Sequence, residues 1–187
     1  RTMSTTSLDG PSVLREFSSA DLGDVRRSRR LAAIVGRLAA SPSSSFPMAT
    51  QSPVELEGLY RWFGNEAFGA LDILRPHVEL TGQRAATGGT VRVVYDTTDF
   101  AFKGDREELG VIEGSVQGFF AHVALAVGPD DKREPLGVLG MHTYVNRDPI
   151  SRRGLTRSQQ RKLFRQTPRE SKTSHRWEAL ALSVARE

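Results

Sequence analysis

The fold is decided by one stretch of the chain, Val91-Arg92-Val93-Val94-Tyr95-Asp96-Thr97-Thr98. Three valines and a tyrosine are β-branched or aromatic, and glycines bound the segment on both sides, so the stretch predicts a short buried strand that ends in a carboxylate. An ionised carboxylate among apolar residues needs a cation or hydrogen-bond donors. Two interpretations stay open: Thr97 or Thr98 caps Asp96, or Asp96 holds Mg²⁺ at the mouth of a sheet.

Length and composition bound the answer. With 187 residues, of which 38% are hydrophobic, the chain is long enough for a real core, as one domain or two small ones. The absence of cysteine excludes disulfides, thiolate zinc sites and cysteine nucleophiles. No apolar run approaches the roughly 20 residues that cross a bilayer, so we expect no membrane partner and a cytoplasmic protein. The chain starts at Arg1 and stops inside a predicted helix, and we therefore expect a fragment of a longer protein.

Residues 1–13 read as a loose tail, and residues 14–84 as a small all-α unit. Asp24 is placed to cap a helix whose apolar stripe comprises Leu31, Ile34, Val35 and Leu38. The arginines fall on a different face of that helix, and this face predicts phosphate contacts through Arg26, Arg29, Arg30 and Arg37, with Arg27 at its border.

Two further helices complete the all-α unit. Ser52-Pro53-Val54-Glu55 is typical of a helix start, because serine caps, proline suits the first turn and glutamate can return the bond. Helical spacing then points four side chains inward: Leu56, Leu59, Tyr60 and Phe63. A last helix is predicted over about 67–80, kinked at Pro76.

From Thr90 the apolar pattern changes to that of strands. After the Asp96 strand we expect a polar loop over 103–117, then strands over 119–127 and 135–145 joined as a hairpin, and a final helix over 177–185. The predicted fold class is α+β: a helical unit, then residues 90–187 with three antiparallel strands and a helix.

The net charge of +4 conceals a basic segment, which lies between the last strand and the final helix. From Arg147 to Arg176 ten basic residues stand against two acidic ones. Residues 147–172 are predicted to form a basic connector. Such segregation of charge predicts a polyanionic partner, and the alternative is a solvated, flexible linker. The candidate contacts are Arg152, Arg153, Arg157, Arg161 and Lys162.

Several local sequences, met in order along the chain, resemble the IS-four family of DDE transposases. The segment from Phe17 to Leu31 resembles that family's N-terminal DNA-binding segment, and Tyr60-Arg61-Trp62-Phe63-Gly64-Asn65 resembles its next helix end. Tyr95-Asp96-Thr97-Thr98 resembles its first catalytic strand and Gly118-Phe119-Phe120-Ala121-His122 its second. Lys172-Thr173-Ser174-His175-Arg176-Trp177 resembles the start of the helix that follows.

The resemblance implies the first half of an RNase H-like domain, with Asp96 as the family's first metal-binding carboxylate and the arginines at 26, 27, 29 and 30 as contacts to transposon-end DNA. It also implies two Mg²⁺ ions, double-stranded DNA as partner, a homodimer in the synaptic complex and a bacterial protein found with the nucleoid. Thr173 departs from the family, where an acid is usual, and Asp99 replaces a small polar residue and is given no metal role.

Three functional hypotheses follow from the sequence. The first is the N-terminal part of a cut-and-paste transposase, catalytically incomplete because one of three carboxylates is present. The second is a truncated product that binds transposon ends and inhibits transposition without catalysis. The third is a binding module whose acidic strand is coincidental.

Overall fold

The computed structural model describes residues 10–87, 89–104, 106–113, 116–129, 133–146, 155–169 and 172–185. The chain divides into two compact units, Arg1–Leu80 and Thr81–Glu187, here called unit 1 and unit 2. Unit 1 is helical and unit 2 contains an antiparallel sheet with helices, so the α+β class is confirmed.

The helices that build unit 1 are α1 (Gly10–Phe17), α2 (Val25–Ala40), α3 (Phe46–Ala49), α4 (Pro53–Phe63) and the first part of α5 (Ala70–Thr87). Helix α1 starts within the stretch predicted as a tail, of which residues 1–9 lie outside the described part. Helix α5 contains Pro76 and runs seven residues past the predicted end.

The starts of α2 and α4 follow from local chemistry, and both predictions are confirmed. The Asp24 carboxylate accepts a hydrogen bond from the Arg26 amide at 2.7 Å. The Ser52 hydroxyl accepts one from the Glu55 amide at 3.2 Å, and Pro53 occupies the first turn, where its missing amide hydrogen costs nothing. The Glu55 carboxylate does not return the bond to Ser52 but accepts from the Gln51 amide at 2.7 Å.

The buried face of α4 differs from the predicted one. Leu59 is buried as expected, but Tyr60 and Phe63 are exposed, and Trp62 takes their place at 7% exposure. The Trp62 ring packs 4.7 Å from the Phe68 ring, and its indole N–H donates to the Arg27 carbonyl oxygen at 3.3 Å. The core around it comprises Ala20, Leu22, Leu31, Ile34, Val35 and Leu59.

The sheet of unit 2 has four strands: β1 (Arg92–Phe102), β2 (Gly110–Glu113), β3 (Val116–Val127) and β4 (Pro135–Tyr144). Strand β3 is central, because β1, β2 and β4 all pair with it in antiparallel register. The predicted loop over 103–117 was wrong in part, since it contains β2 and the start of β3.

The prediction that the first strand ends at Asp96 was also wrong. Strand β1 continues six residues beyond Asp96, because it stays paired with β3 as far as Phe102 and Gln117. Stacking of Phe100 on Phe119, with ring centroids 4.8 Å apart, supports this extension. At Gly118 a side chain would overlap the Phe100 backbone, so the two strands approach closely only because this residue is glycine.

Two helices follow the sheet, α6 (Arg157–Gln166) and α7 (Thr173–Val184). Helix α7 packs on β3 and β4, where Leu180 and Val184 lie against Gly140. The basic segment was predicted as a connector, but its central part is α6, which begins with a reciprocal capping box between Thr156 and Gln159. Arg152 and Arg153 lie outside the described residues.

Candidate nucleic-acid interface

The predicted arginine face of α2 divides into two groups. Arg26 and Arg29 are exposed, and neither side chain bonds to another described residue. They lie three positions apart, so their guanidinium groups are neighbours on one helix surface. Two unneutralised cations at this spacing are free to bind anionic oxygens.

The second group of α2 arginines is engaged in holding unit 1 together. Arg27 donates to the Leu22 carbonyl oxygen at 2.9 Å, and Arg30 donates to the Glu55 carbonyl oxygen at 3.4 Å. Arg37 contacts the Glu55 carboxylate at 3.2 Å and the Gln51 side chain at 2.7 Å. These three side chains therefore connect α2 to its surroundings, and what remains for a ligand is their outward-facing donors.

Glu55 is the acceptor on which this connection depends. The hydrogen bond from the Gln51 amide, followed by the Arg37 guanidinium, holds the pKa of the Glu55 carboxyl below its ordinary value. Ionised Glu55 thus neutralises Arg37, while Arg26 and Arg29 keep their full charge.

Helix α6 presents a second set of cations. Arg157, Arg161, Lys162 and Arg165 are all exposed, and the helix contains no acidic residue. Arg157, Arg161 and Arg165 recur every four residues and line a shallow surface depression with Gln160 and Phe164. The Lys172 ammonium lies over the Phe164 ring, 4.5 Å from its centroid.

Asp96 lies on the open face of β1, and its side chain is exposed. Its carboxylate accepts a hydrogen bond from the Thr97 amide at 2.8 Å, which gives partial support to the local explanation of this acid. Asp99 projects from the opposite face, as alternation along a strand requires. Among the described residues no group of three or more His, Cys, Asp or Glu is placed to hold a metal ion.

His122 makes buried contacts that the sequence analysis did not predict. It is fully buried, its Nδ1 lies 2.5 Å from the Thr97 hydroxyl, and its ring packs between Tyr144 and Trp177. Its Nε2 is buried and has no hydrogen-bond partner within the described residues. The signal was available, because a lone histidine stands inside the apolar run Phe119-Phe120-Ala121-His122-Val123-Ala124. His122 thus links the strand that carries Asp96 to α7.

We expect unit 2 to lose stability as the pH falls from 7 to 5. Burial, with the charges of His142 and Arg176, lowers the pKa of His122 below its ordinary value, so the unfolded chain takes up a proton that the folded chain refuses. The contribution of neutral His122 is complete above the unfolded pKa near 6.5 and declines below it. Hydrogen-exchange protection of β3, measured across this pH range, gives the slope of the stability of unit 2 against pH.

His122→Gln removes the titrating ring and keeps a group able to bond Thr97, so the slope assigned to residue 122 should disappear. His142→Gln is the comparison variant: it removes an exposed histidine of the neighbouring strand whose charge helps to lower the pKa of His122, so the slope should become shallower but persist. An unchanged pH slope in His122→Gln would show that other groups cause the loss.

Arg26 and Arg29 lie in a part of the chain that matches a known family model. Residues 12–68 match the transposase DNA-binding family model. The matched region includes α2, α4 and both exposed arginines, and the match supports DNA as its partner. No curated protein matches the chain. Within the described residues no helix has the length and apolar character needed to cross a membrane.

Proposed function

We propose that this protein binds duplex DNA at transposon ends through α2, with Arg26 and Arg29 as its first phosphate contacts. The observation that carries the proposal is the exposure of these two arginines, side by side and without acidic partners, inside the matched region. Arginine suits the role because its planar guanidinium binds two phosphate oxygens at once. Three further arginines of α2 hold the helix in position through hydrogen bonds: Arg27 to Leu22, Arg30 to Glu55 and Arg37 to Gln51.

Replacing Arg26 and Arg29 together by glutamine should weaken duplex binding by about tenfold or more at moderate salt. Each lost phosphate contact also removes about 0.9 from the slope of log affinity against log salt, so the slope should become shallower by about 1.8. Fluorescence anisotropy with a labelled duplex, repeated over a salt series, measures both quantities. Glutamine forms helices about as well as arginine, so α2 should persist.

The control is Arg75→Gln with Arg106→Gln, which also removes two positive charges, one from a surface ion pair with Asp72 and one from above the Phe102 ring. Its affinity should change by less than about twofold, because neither arginine lies on α2 or in the basic segment. Equal losses in both double variants would mean that net charge, not the α2 surface, determines binding.

The second part of the proposal concerns unit 2. Two observations support an RNase H-like assignment and membership of the IS-four group of DDE transposases. The long strand β1 and the strand β4 both pair with the central strand β3, and helix α7 packs on β3 and β4. In that setting Asp96 is one ligand of a Mg²⁺ ion in an enzyme that cuts and joins DNA strands, with the remaining ligands outside the described residues. The same setting implies a homodimer that pairs two transposon ends, and a place with the bacterial nucleoid.

The alternative is a protein that occupies transposon ends and inhibits transposition without cutting DNA. Among the described residues Asp96 belongs to no group of three or more His, Cys, Asp or Glu that could hold a metal ion, and this favours the alternative for this chain by itself. The two functions share the α2 contacts and differ in cleavage, so a nicking assay in the presence of Mg²⁺ separates them.

A further inference from the structure

The geometry points to a second duplex-binding surface on α6, separate from α2 and formed by Arg157, Arg161 and Arg165. The inference deepens the proposed function, on which it rests for the identity of the partner as DNA. It assigns a purpose to a helix that the matched region does not include, since that region ends at residue 68.

The first argument is that α6 contributes no buried residue to a hydrophobic core. None of its residues is buried, and its ten positions include four cations and no acid. Bringing like charges together on one helix is unfavourable by some tenths of a kcal/mol for each neighbouring pair. Helix α6 has no buried residue and no acidic residue to neutralise its cations, so an anionic partner would stabilise it. Three of its cations lie on one stripe along the helix.

The second argument is the spacing of that stripe. Positions four apart on a helix are separated by about 6 Å along its axis, so Arg157 and Arg165 are about 12 Å apart. A DNA duplex carries one negative charge per roughly 1.7 Å of its axis with both strands counted, so about seven phosphates lie along this length, roughly three or four of them on each strand. Three guanidinium groups can thus each find a separate phosphate, whereas a small anion would engage one of them.

The third argument separates a duplex from a lipid surface, the other partner that a basic helix can fit. Interfacial helices bury a broad apolar face of leucine, phenylalanine or tryptophan. Helix α6 has two apolar side chains, Leu163 and Phe164, and Phe164 lies under the Lys172 ammonium. The area available for lipid is therefore small, and the cationic stripe dominates the surface.

The test compares three double variants of the full chain that carry the same loss of two positive charges: Arg161→Gln with Arg165→Gln on α6, Arg26→Gln with Arg29→Gln on α2, and Arg75→Gln with Arg106→Gln as control. Affinity for a labelled duplex is measured over a salt series. The α6 variant should lose about tenfold in affinity and become about 1.8 shallower in salt slope, with the control unchanged. Circular dichroism verifies that all three fold.

The outcomes separate the two proposals. If the α2 variant weakens binding and the α6 variant behaves like the control, the second surface is overturned and the proposed function stands. If the α6 variant alone weakens binding, the α2 contacts fail and the α6 surface stands. Binding to vesicles of phosphatidylserine and phosphatidylcholine that requires Arg161 and Arg165, together with unchanged duplex affinity in the α6 variant, would overturn the inference in favour of lipid.

Discussion

Replacing Trp62 by alanine is expected to lower the free energy of unfolding of unit 1 by about 3–5 kcal/mol, the range for a large aromatic removed from a core. The ring is 7% exposed, packs against Phe68 and Phe63, and donates a hydrogen bond to the Arg27 carbonyl oxygen. The variant loses this packing and the indole hydrogen bond, and it opens a cavity. Because domains are stable by only about 5–15 kcal/mol, unit 1 would lose a substantial part of its stability.

Hydrogen exchange followed by mass spectrometry measures the effect element by element. Hydrogen-exchange protection should fall in α2 and α4, while the protection of β3 should be unchanged. Duplex affinity should also fall, because α2 carries Arg26 and Arg29. Tyr60→Ala is the matched control, since Tyr60 lies on the same helix with an exposed ring. Similar losses in the two variants would show that the helix itself, and not the core position of Trp62, matters.

Replacing Asp96 by asparagine should reduce Mg²⁺-dependent strand cleavage at least about a hundredfold, if the enzymatic part of the proposal holds. Asparagine keeps the size of the side chain but removes the charge that Mg²⁺ requires, and the loss of about 3 kcal/mol of transition-state stabilisation corresponds to this factor. DNA affinity should be unchanged because the α2 contacts are untouched. Stability should move by less than about 0.5 kcal/mol, since Asp96 is exposed.

The assay follows nicking of a transposon-end duplex by the 187-residue chain and by the longest product of its reading frame. Asp99→Asn is the control, because Asp99 is an equally exposed aspartate three residues later on the other face of β1. Cleavage that survives Asp96→Asn, or that is lost equally in both variants, would remove Asp96 from the catalytic proposal.

The sequence predicts the parts of this fold that local chemistry controls. Asp24 and Ser52 cap their helices as expected, because each bond joins residues two or three positions apart. The capping box of Thr156 and Gln159 is equally local and could have predicted α6, which the basic composition of the segment concealed. Four residues of β2 carry too little pattern of their own, and their pairing with β3 is what defines them.

The rest depends on distant partners. A helical wheel groups Arg30 and Arg37 with Arg26 and Arg29, and only the approach of Glu55 on α4 separates the two groups. Likewise the apolar spacing of α4 allows two adjacent faces, and packing against Phe68 selects the face that contains Trp62. For Asp96 the sequence identifies the strand, but pairing with β3 as far as Phe102 determines that the carboxylate lies in its middle.

Strand β1 is eleven residues long and, within the described part of the chain, pairs with β3 alone. The N–H and C=O groups on its outer edge can pair with an extended segment of another chain, and such pairing at edge strands leads to aggregation. Charges deter such joining, and β1 carries Arg92, Asp96 and Asp99, with Lys103 directly after it. Asp96 is thus one of the charges on β1 that disfavour such pairing, whether or not the protein cuts DNA.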